Sequence, residues 1–300
     1  MILFCDFNPK LIRKYKSKIF NVGEENLIDA SRVYASGYGI DMAVFANRLF
    51  QDSKVFYLKG TNIGKFIESD LRNHYIESTS ISLKDDNIEN IIIDNGEGKT
   101  IFKSKSPRIT MEDKKDIINA FAEAIRGKKI VGLSIIDHDS LKDDLYEALI
   151  NICYKENVKI VVNPENVGQI KDSKPYVLIM DKKDLTGEEN ITHTGDVPEV
   201  TKKLIDKGVG IVVVNSQRAT VVSTKDKNYK VYFDKISDFK TYNKNLILAG
   251  FAIGIDRDYD LETTIKLAIA SSICENYMKF SEVEMSEIKK LMNSVKVEEM

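Results

Sequence analysis

Hydrophobic and polar positions are arranged in two different ways along this chain, and the change falls near its middle. From residue 130 onward, apolar runs and amphipathic stretches take turns. Residues 130–136 read as a buried strand, 141–156 as a helix, Lys159–Val162 as a β-branched strand and 176–180 as another. The stretch 197–207 has one apolar face and is closed by Gly208, and 210–214 is a continuous apolar run suited to a strand buried on both faces. Short strands at 221–224 and 230–233, then helices near 246–254 and 261–278, complete the pattern. Such alternation implies crossover connections and a mainly parallel sheet.

The first half is different. Residues 14–20, 27–34 and 88–102 read as strands, the last broken by Asp94-Asn95-Gly96-Glu97-Gly98, whose Asn and glycines suit a hairpin turn. Parts of 12–35 and 88–104 are therefore expected to form a small β lid beside the main sheet. Neither a repeat nor a Pro-rich linker marks a boundary, so one domain spanning 1–300 is expected.

Composition narrows the classes. With 300 residues, 43% hydrophobic and 30% charged, the chain can bury a large core. A formal charge of −2 gives no field of the kind that gathers nucleic acid or an anionic membrane, so neither partner is expected and a small ligand fits better. Cys5, Cys153 and Cys274 match no metal or disulfide spacing and read as buried thiols in a reducing cytoplasm. The first residues are too short an apolar run for a signal peptide, and no run is long enough to span a bilayer.

Three motifs occur in a telling order: Asn8-Pro9-x-Leu11, then Ser36-Gly37-Tyr38-Gly39-Ile40-Asp41-Met42-Ala43 opening a helix, then Ala249-Gly250-Phe251. Together with the length and the early strands, they make the chain resemble the phosphofructokinase-B type of ribokinase-like carbohydrate kinases, closest to 1-phosphofructokinase and tagatose-6-phosphate kinase. The resemblance implies a three-layer α/β/α sandwich with a β lid over a sugar site. It also implies phosphoryl transfer from ATP, with Mg2+, to a sugar phosphate, and offers the exposed lid as a surface for a homodimer.

The matching positions depart from the family pattern. The Asp that binds sugar hydroxyls is Ile12 here, which offers no acceptor. The Lys near a substrate phosphate is Tyr38, and Ser36 and Asp41 also differ; the added carboxylate of Asp41 is set to repel a phosphate. A phosphate-holding Arg on the hairpin strand is Ile88, whereas Asn90 matches. Substrate binding is thus assigned to Asn8, Gly37, Tyr38, Gly39, Asp41 and Asn90.

On the nucleotide side, a magnesium-organising Lys-Pro-Asn-x-x-Glu aligns with Met180-Asp181-Lys182-Lys183-Asp184-Leu185, so its Glu is lost unless Asp184 replaces it. A glycine-bearing loop aligns with Asn215-Ser216-Gln217, where bulk replaces close backbone approach. Nucleotide contacts are assigned to Lys182, Asn215, Asn243 and Lys244; the metal ligands stay unknown. The Gly-Ala-Gly-Asp motif, whose helix N-terminus holds the phosphoryl group and whose Asp takes the hydroxyl proton, corresponds to the local sequence Thr241-Tyr242-Asn243-Lys244-Asn245, which is one residue shorter. Asn245 stands at the base position, Asn243 and Asn245 are expected to keep part of the turn by tolerating positive φ, and Lys244 offers a compensating charge. The reading is an impaired sugar-phosphate kinase; the alternative is a non-catalytic relative that binds a nucleotide, a sugar or a protein partner.

Other signals have plainer explanations. Gly37-Tyr38-Gly39 lacks the third glycine of a dinucleotide fingerprint and reads as a tight strand-to-helix turn. Asp137-His138-Asp139 sits where sheet-bound ligands lie, and either Asp137 or Asp139 is a substitute base, but capping by Asp139 or Ser140, with Asp143 three residues on, is the expectation. His74 and His193 read as solvated, and the charged stretches 225–230 and 281–299 as solvated faces.

Overall fold

The computed structural model describes residues 1–138, 140–141, 145–185, 194–216, 219–233 and 242–300. Its strands are β1 (Ile2–Asp6), β2 (Lys10–Lys16), β3 (Ala30–Ser36), β4 (Ser53–Lys59), β5 (Glu77–Ser82), β6 (Ile88–Asp94), β7 (Lys99–Lys103), β8 (Ile130–Leu133), β9 (Lys159–Val162), β10 (Val177–Asp181), β11 (Ile211–Asn215), β12 (Thr220–Ser223), β13 (Asn228–Phe233) and β14 (Val295–Glu299). Its helices are α1 (Tyr38–Arg48), α2 (Asn62–Asn73), α3 (Met111–Ala124), α4 (Leu145–Lys155), α5 (Val197–Asp206), α6 (Lys244–Asp256), α7 (Leu261–Ile273) and α8 (Met285–Asn293).

Ten strands form the large sheet in the order β14-β13-β12-β11-β10-β9-β8-β1-β4-β5. Pairing is parallel from β11 through β5 and antiparallel from β11 through β14. Successive strand side chains point to opposite faces, and the two cores follow that rule. Ile2, Phe4, Val55, Tyr57 and Val213 pack on one side, with α1, α2, α6, α7 and α8. Leu3, Cys5, Phe56, Leu58 and Val212 pack on the other, with α3, α4 and α5. This is the expected three-layer sandwich. No helix among the described residues is long and apolar enough to cross a membrane.

The lid is a second sheet, β3-β2-β6-β7. Its strand β2 lies between β3, antiparallel, and β6, parallel, with Ile12 opposite Asn90. Arg13–Glu89 at 2.9 Å and Lys14–Asp94 at 3.0 Å tie β2 to β6. The predicted hairpin turn is present: Asn95 Oδ1 accepts from the backbone of Glu97 and Gly98, and Gly96 takes φ 85°.

Two expectations need correction. Strand β2 runs from Lys10 to Lys16 rather than over 14–20, because Leu11 and Ile12 are both buried and the charges at 10, 13 and 14 break the two-residue period. The charged stretch 281–299 is not merely a solvated face. Ile288 and Val295 are buried, so α8 packs on the core and β14 extends the sheet beside β13.

Candidate functional site

Strand ends supply the site. In open α/β sheets ligands sit beyond the carboxyl ends of the parallel strands, and here those ends carry Asp6 on β1, Ser134 after β8, Asn163 after β9, Asp181 on β10 and Asn215 on β11. Hydrogen bonds tie them into two groups.

The first group surrounds Tyr38, the first residue of α1. Asp6 is buried and its carboxylate accepts from the backbone of Asn8 at 3.2 Å, Gly39 at 2.9 Å and Ile40 at 3.1 Å. It therefore occupies the N-terminus of α1, where unpaired N–H groups and the helix dipole favour an anion. The glycines have a packing reason: a Cβ on Gly37 would lie 2.1 Å from Asp6 Oδ2, and one on Gly39 2.5 Å from the carbonyl oxygen of Cys5. Ser36 Oγ donates to Asp41 Oδ2 at 3.1 Å.

Burial pushes the Asp6 carboxyl up to about 6, with its backbone donors and Lys10 pulling the other way. Burial and the charge of Asp6 push Asp41 up to about 7. The Tyr38 phenol is raised by burial and by the charges of Asp137, Asp6, Asp41 and Glu165. Lys10 Nζ lies 5.6 Å from the Tyr38 ring centroid. A groove of about 630 Å³ opens on Ser36 and Asp41, walled by Tyr34, Val44, Glu275 and Phe280.

Asn8 donates its amide to the carbonyl oxygen of Asp137, which leaves its Oδ1 buried and without a partner. Asn90 Oδ1, on the lid opposite Ile12, is likewise buried and unpartnered. Ile12 and Ile88 are both buried.

The second group lies at the start of α6. Asn243 is its N-cap, with an extended backbone at φ −92° rather than the positive φ expected of it. Its side-chain oxygen accepts from the backbone N–H of Asn245 at 3.0 Å and Leu246 at 3.4 Å, and its amide donates to Glu275 at 2.7 Å. Ser134 Oγ donates to Asn245 Oδ1, and Asn163 Nδ2 donates to Ser134 Oγ at 3.4 Å. Tyr146 of α4 fixes this loop by donating to the carbonyl oxygens of Leu133 and Ser134.

Lys244 reaches Asp181 at 2.9 Å and Asp184 at 3.4 Å. Asn215 donates to the other oxygen of Asp181 at 3.4 Å, and Lys182 begins the 3-10 turn Lys182–Leu185 after β10. Leu185 is buried in the core, so its position carries no donor. The carboxylates available for a magnesium ion are thus Asp181 and Asp184, and a lysine ammonium already sits between them. Among the described residues no three His, Cys, Asp or Glu side chains gather for a metal. As arranged, Lys244 holds both carboxylates in ion pairs, so a cation there would have to displace it.

His138 is structural: its ring contacts the carbonyl oxygen of Pro107 at 2.8 Å and accepts from the N–H of Ser140. The ring of His74 sits against the carbonyl oxygen of Asp70 at 2.8 Å. Asp139, Asp143, His193, Gln217 and Thr241 lie outside the described residues. Asp6, Lys10, Ser134 and Asn163 were missed from sequence. All but Lys10 follow or end a parallel strand, and that position was the available signal.

An α/β/α sandwich with a four-stranded lid and ligand-facing groups along the carboxyl edge is the ribokinase-like architecture. The chain belongs to the pfkB family of carbohydrate kinases, whose family model matches residues 10–239. It is 26% identical over 281 residues to 1-phosphofructokinase of Bacillus subtilis (strain 168), covering 90% of this chain and 91% of that one. A solved chain from Staphylococcus aureus matches at TM-score 0.87 and 22% identity over 100% of this chain and 99% of its own. Phosphofructokinase-2 from Escherichia coli matches at TM-score 0.83 and 14% identity, over 97% and 98%.

Proposed function

We propose that this chain holds a carbohydrate and a nucleotide in the manner of the sugar-phosphate kinases, with impaired phosphoryl transfer. The observation that carries this is the start of α6. Transfer needs a base for the acceptor hydroxyl and free N–H donors for the developing charge. Asn245 supplies a neutral amide that already accepts from Ser134, and the side chain of Asn243 takes the N–H groups of Asn245 and Leu246. Losing a general base lowers rates by about 10² to 10⁴.

The unpartnered amide oxygens of Asn8 and Asn90 support carbohydrate binding, since a sugar hydroxyl satisfies each of them. The likeness to 1-phosphofructokinase over 90% of the chain supports the kinase kind. A coupled assay with ATP and fructose 1-phosphate or tagatose 6-phosphate is expected to give kcat/KM below about 10⁴ M⁻¹s⁻¹, the low end of ordinary enzymes. A value above that overturns the impairment.

A further inference from the structure

Helices α1 to α6 each end in a turn closed by a residue at positive φ, a backbone that glycine adopts freely and that Asn or Asp tolerates. After α3 and α5 that residue is Gly127 and Gly208, after α4 Asn157 and after α6 Asp258. After α1 and α2 it is Phe50 and Tyr75, each at φ 56°. Bulky side chains are strained there. Neither ring recovers the strain by packing, since Phe50 is 87% exposed and Tyr75 92%.

Such strain persists only where the surroundings over-determine it. Arg257 Nη2 donates to the carbonyl oxygens of Leu49 at 2.7 Å and Phe50 at 3.2 Å, and its Nε donates to Gln51 Oε1 at 2.9 Å. Asn47 Nδ2 donates to the carbonyl oxygen of His74 at 2.9 Å, which ties the end of α1 to the end of α2. Buried Ile76 donates its N–H to the carbonyl oxygen of Leu71 and closes the second turn. Phe50 and Tyr75 are thereby held on one groove of about 440 Å³. It lies at the amino ends of β4 and β5, the edge of the sheet opposite the strand ends that carry the carbohydrate site.

The groove is acidic. Asp52 and Glu77 line it, both exposed, and among the described residues neither stands in an ion pair. No lysine or arginine side chain lines it, and the Met1 ammonium at its edge is already paired with Asp256 at 3.2 Å. The C-terminal ends of α1 and α2 add partial negative charge. Aromatic faces beside carboxylates suit a cation, and a guanidinium suits them best because it stacks flat on a ring while its fork matches a carboxylate. A small ion in the groove leaves most of both rings in solvent; a polypeptide lying across the rims covers them, as aromatic anchors are covered in protein interfaces.

We infer that this face docks a partner polypeptide that seats an arginine against Phe50 and Tyr75, its guanidinium paired with Asp52 or Glu77. The inference is independent of the carbohydrate-binding function proposed above.

The test pans a random linear peptide library against the full native chain at pH 7, with counter-selection on the double variant Phe50→Gly, Tyr75→Gly. Glycine relieves the backbone at both positions, so this variant is expected to fold and to melt no lower than the native protein. A fall of several degrees shows that the aromatics serve the fold and overturns the inference. Peptides retained by the native chain are expected to carry arginine. Replacing that arginine by citrulline in a synthetic copy, or Asp52→Asn with Glu77→Gln in the protein, is expected to weaken binding at least about tenfold in isothermal titration. Retained peptides without arginine, equal binding to the glycine variant, or no enrichment at all overturn the inference. So does a native dimer in sedimentation that the glycine variant dissolves, which assigns the face to a second copy of this chain.

Discussion

Ser134, at the carboxyl end of β8, donates its hydroxyl to Asn245 Oδ1 in the first turn of α6. The contact joins a strand end to a helix start across 111 residues of sequence and orients the amide oxygen of Asn245 toward the sheet. A carboxylate at 245 accepts the same hydrogen bond and keeps a second oxygen for a proton.

Asn245→Asp is therefore expected to raise any trace of ATP-dependent phosphorylation by at least about tenfold, the lower part of the range for a general base. Steady-state assays of both proteins decide it. If the native protein is already a competent kinase and the substitution changes little, another group such as Asp137 is the base and the impairment is refuted.

Asn243 supplies both a cap and a block. Asn243→Ala removes the acceptor for two helix N–H groups and the link to Glu275, and is expected to cost about 1 kcal/mol in denaturant unfolding. Tighter binding of ATP by this variant, measured by calorimetry, is the expected companion result, because the freed N–H groups then face the nucleotide. Unchanged affinity means that the cap does not block the anion site.

Asp41 makes stability depend on pH in an unusual direction. Its carboxyl sits at about 7 in the fold against an ordinary 3.8, and Asp6 at about 6, so between about pH 4 and 7 the folded chain binds more protons than the unfolded one. The contribution of these two groups is fully present near pH 4 and is lost as pH rises toward 7. Asp41→Asn removes one of them and is expected to stabilise the protein by about 1–3 kcal/mol at pH 8 and by little at pH 4. Thermal melts at the two pH values check it; equal shifts at both contradict it.

Lys244 neutralises the Asp181–Asp184 pair. Lys244→Met leaves two carboxylates facing one another, and millimolar Mn2+ is expected to raise the melting temperature of the variant but not of the native protein. A native protein stabilised by Mn2+ to the same extent, with the effect lost in Asp181→Asn, shows that the lysine excludes nothing.

Gly250, in the Ala-Gly-Phe motif, lets α6 approach α7: a Cβ there would lie 2.4 Å from the Cα of Ala268. Gly250→Ala is expected to destabilise the fold by about 1–3 kcal/mol through overpacking. An unchanged unfolding midpoint shows that the helices separate without cost.

The sequence alone determined the alternation of strands and helices from residue 130 onward, the lid hairpin and the three motifs that mark the family, because buried parallel strands are continuous apolar runs and turns need Asn and Gly in fixed places. It also placed Ile12, Tyr38, Asp41, Ile88 and Asn245 as the positions where the chemistry departs from the family. The tertiary structure decided what those residues touch. No local pattern shows that Asp6 fills the N-terminus of α1, that Lys10 on β2 comes over Tyr38, that Lys244 bridges Asp181 and Asp184, or that Ser134 meets Asn245. Each of these pairs joins elements far apart in the chain, and crossover connections bring them together only when the parallel sheet closes. Periodicity reports which face of an element is buried; it carries no information about which polar ends meet at the edge of the sheet.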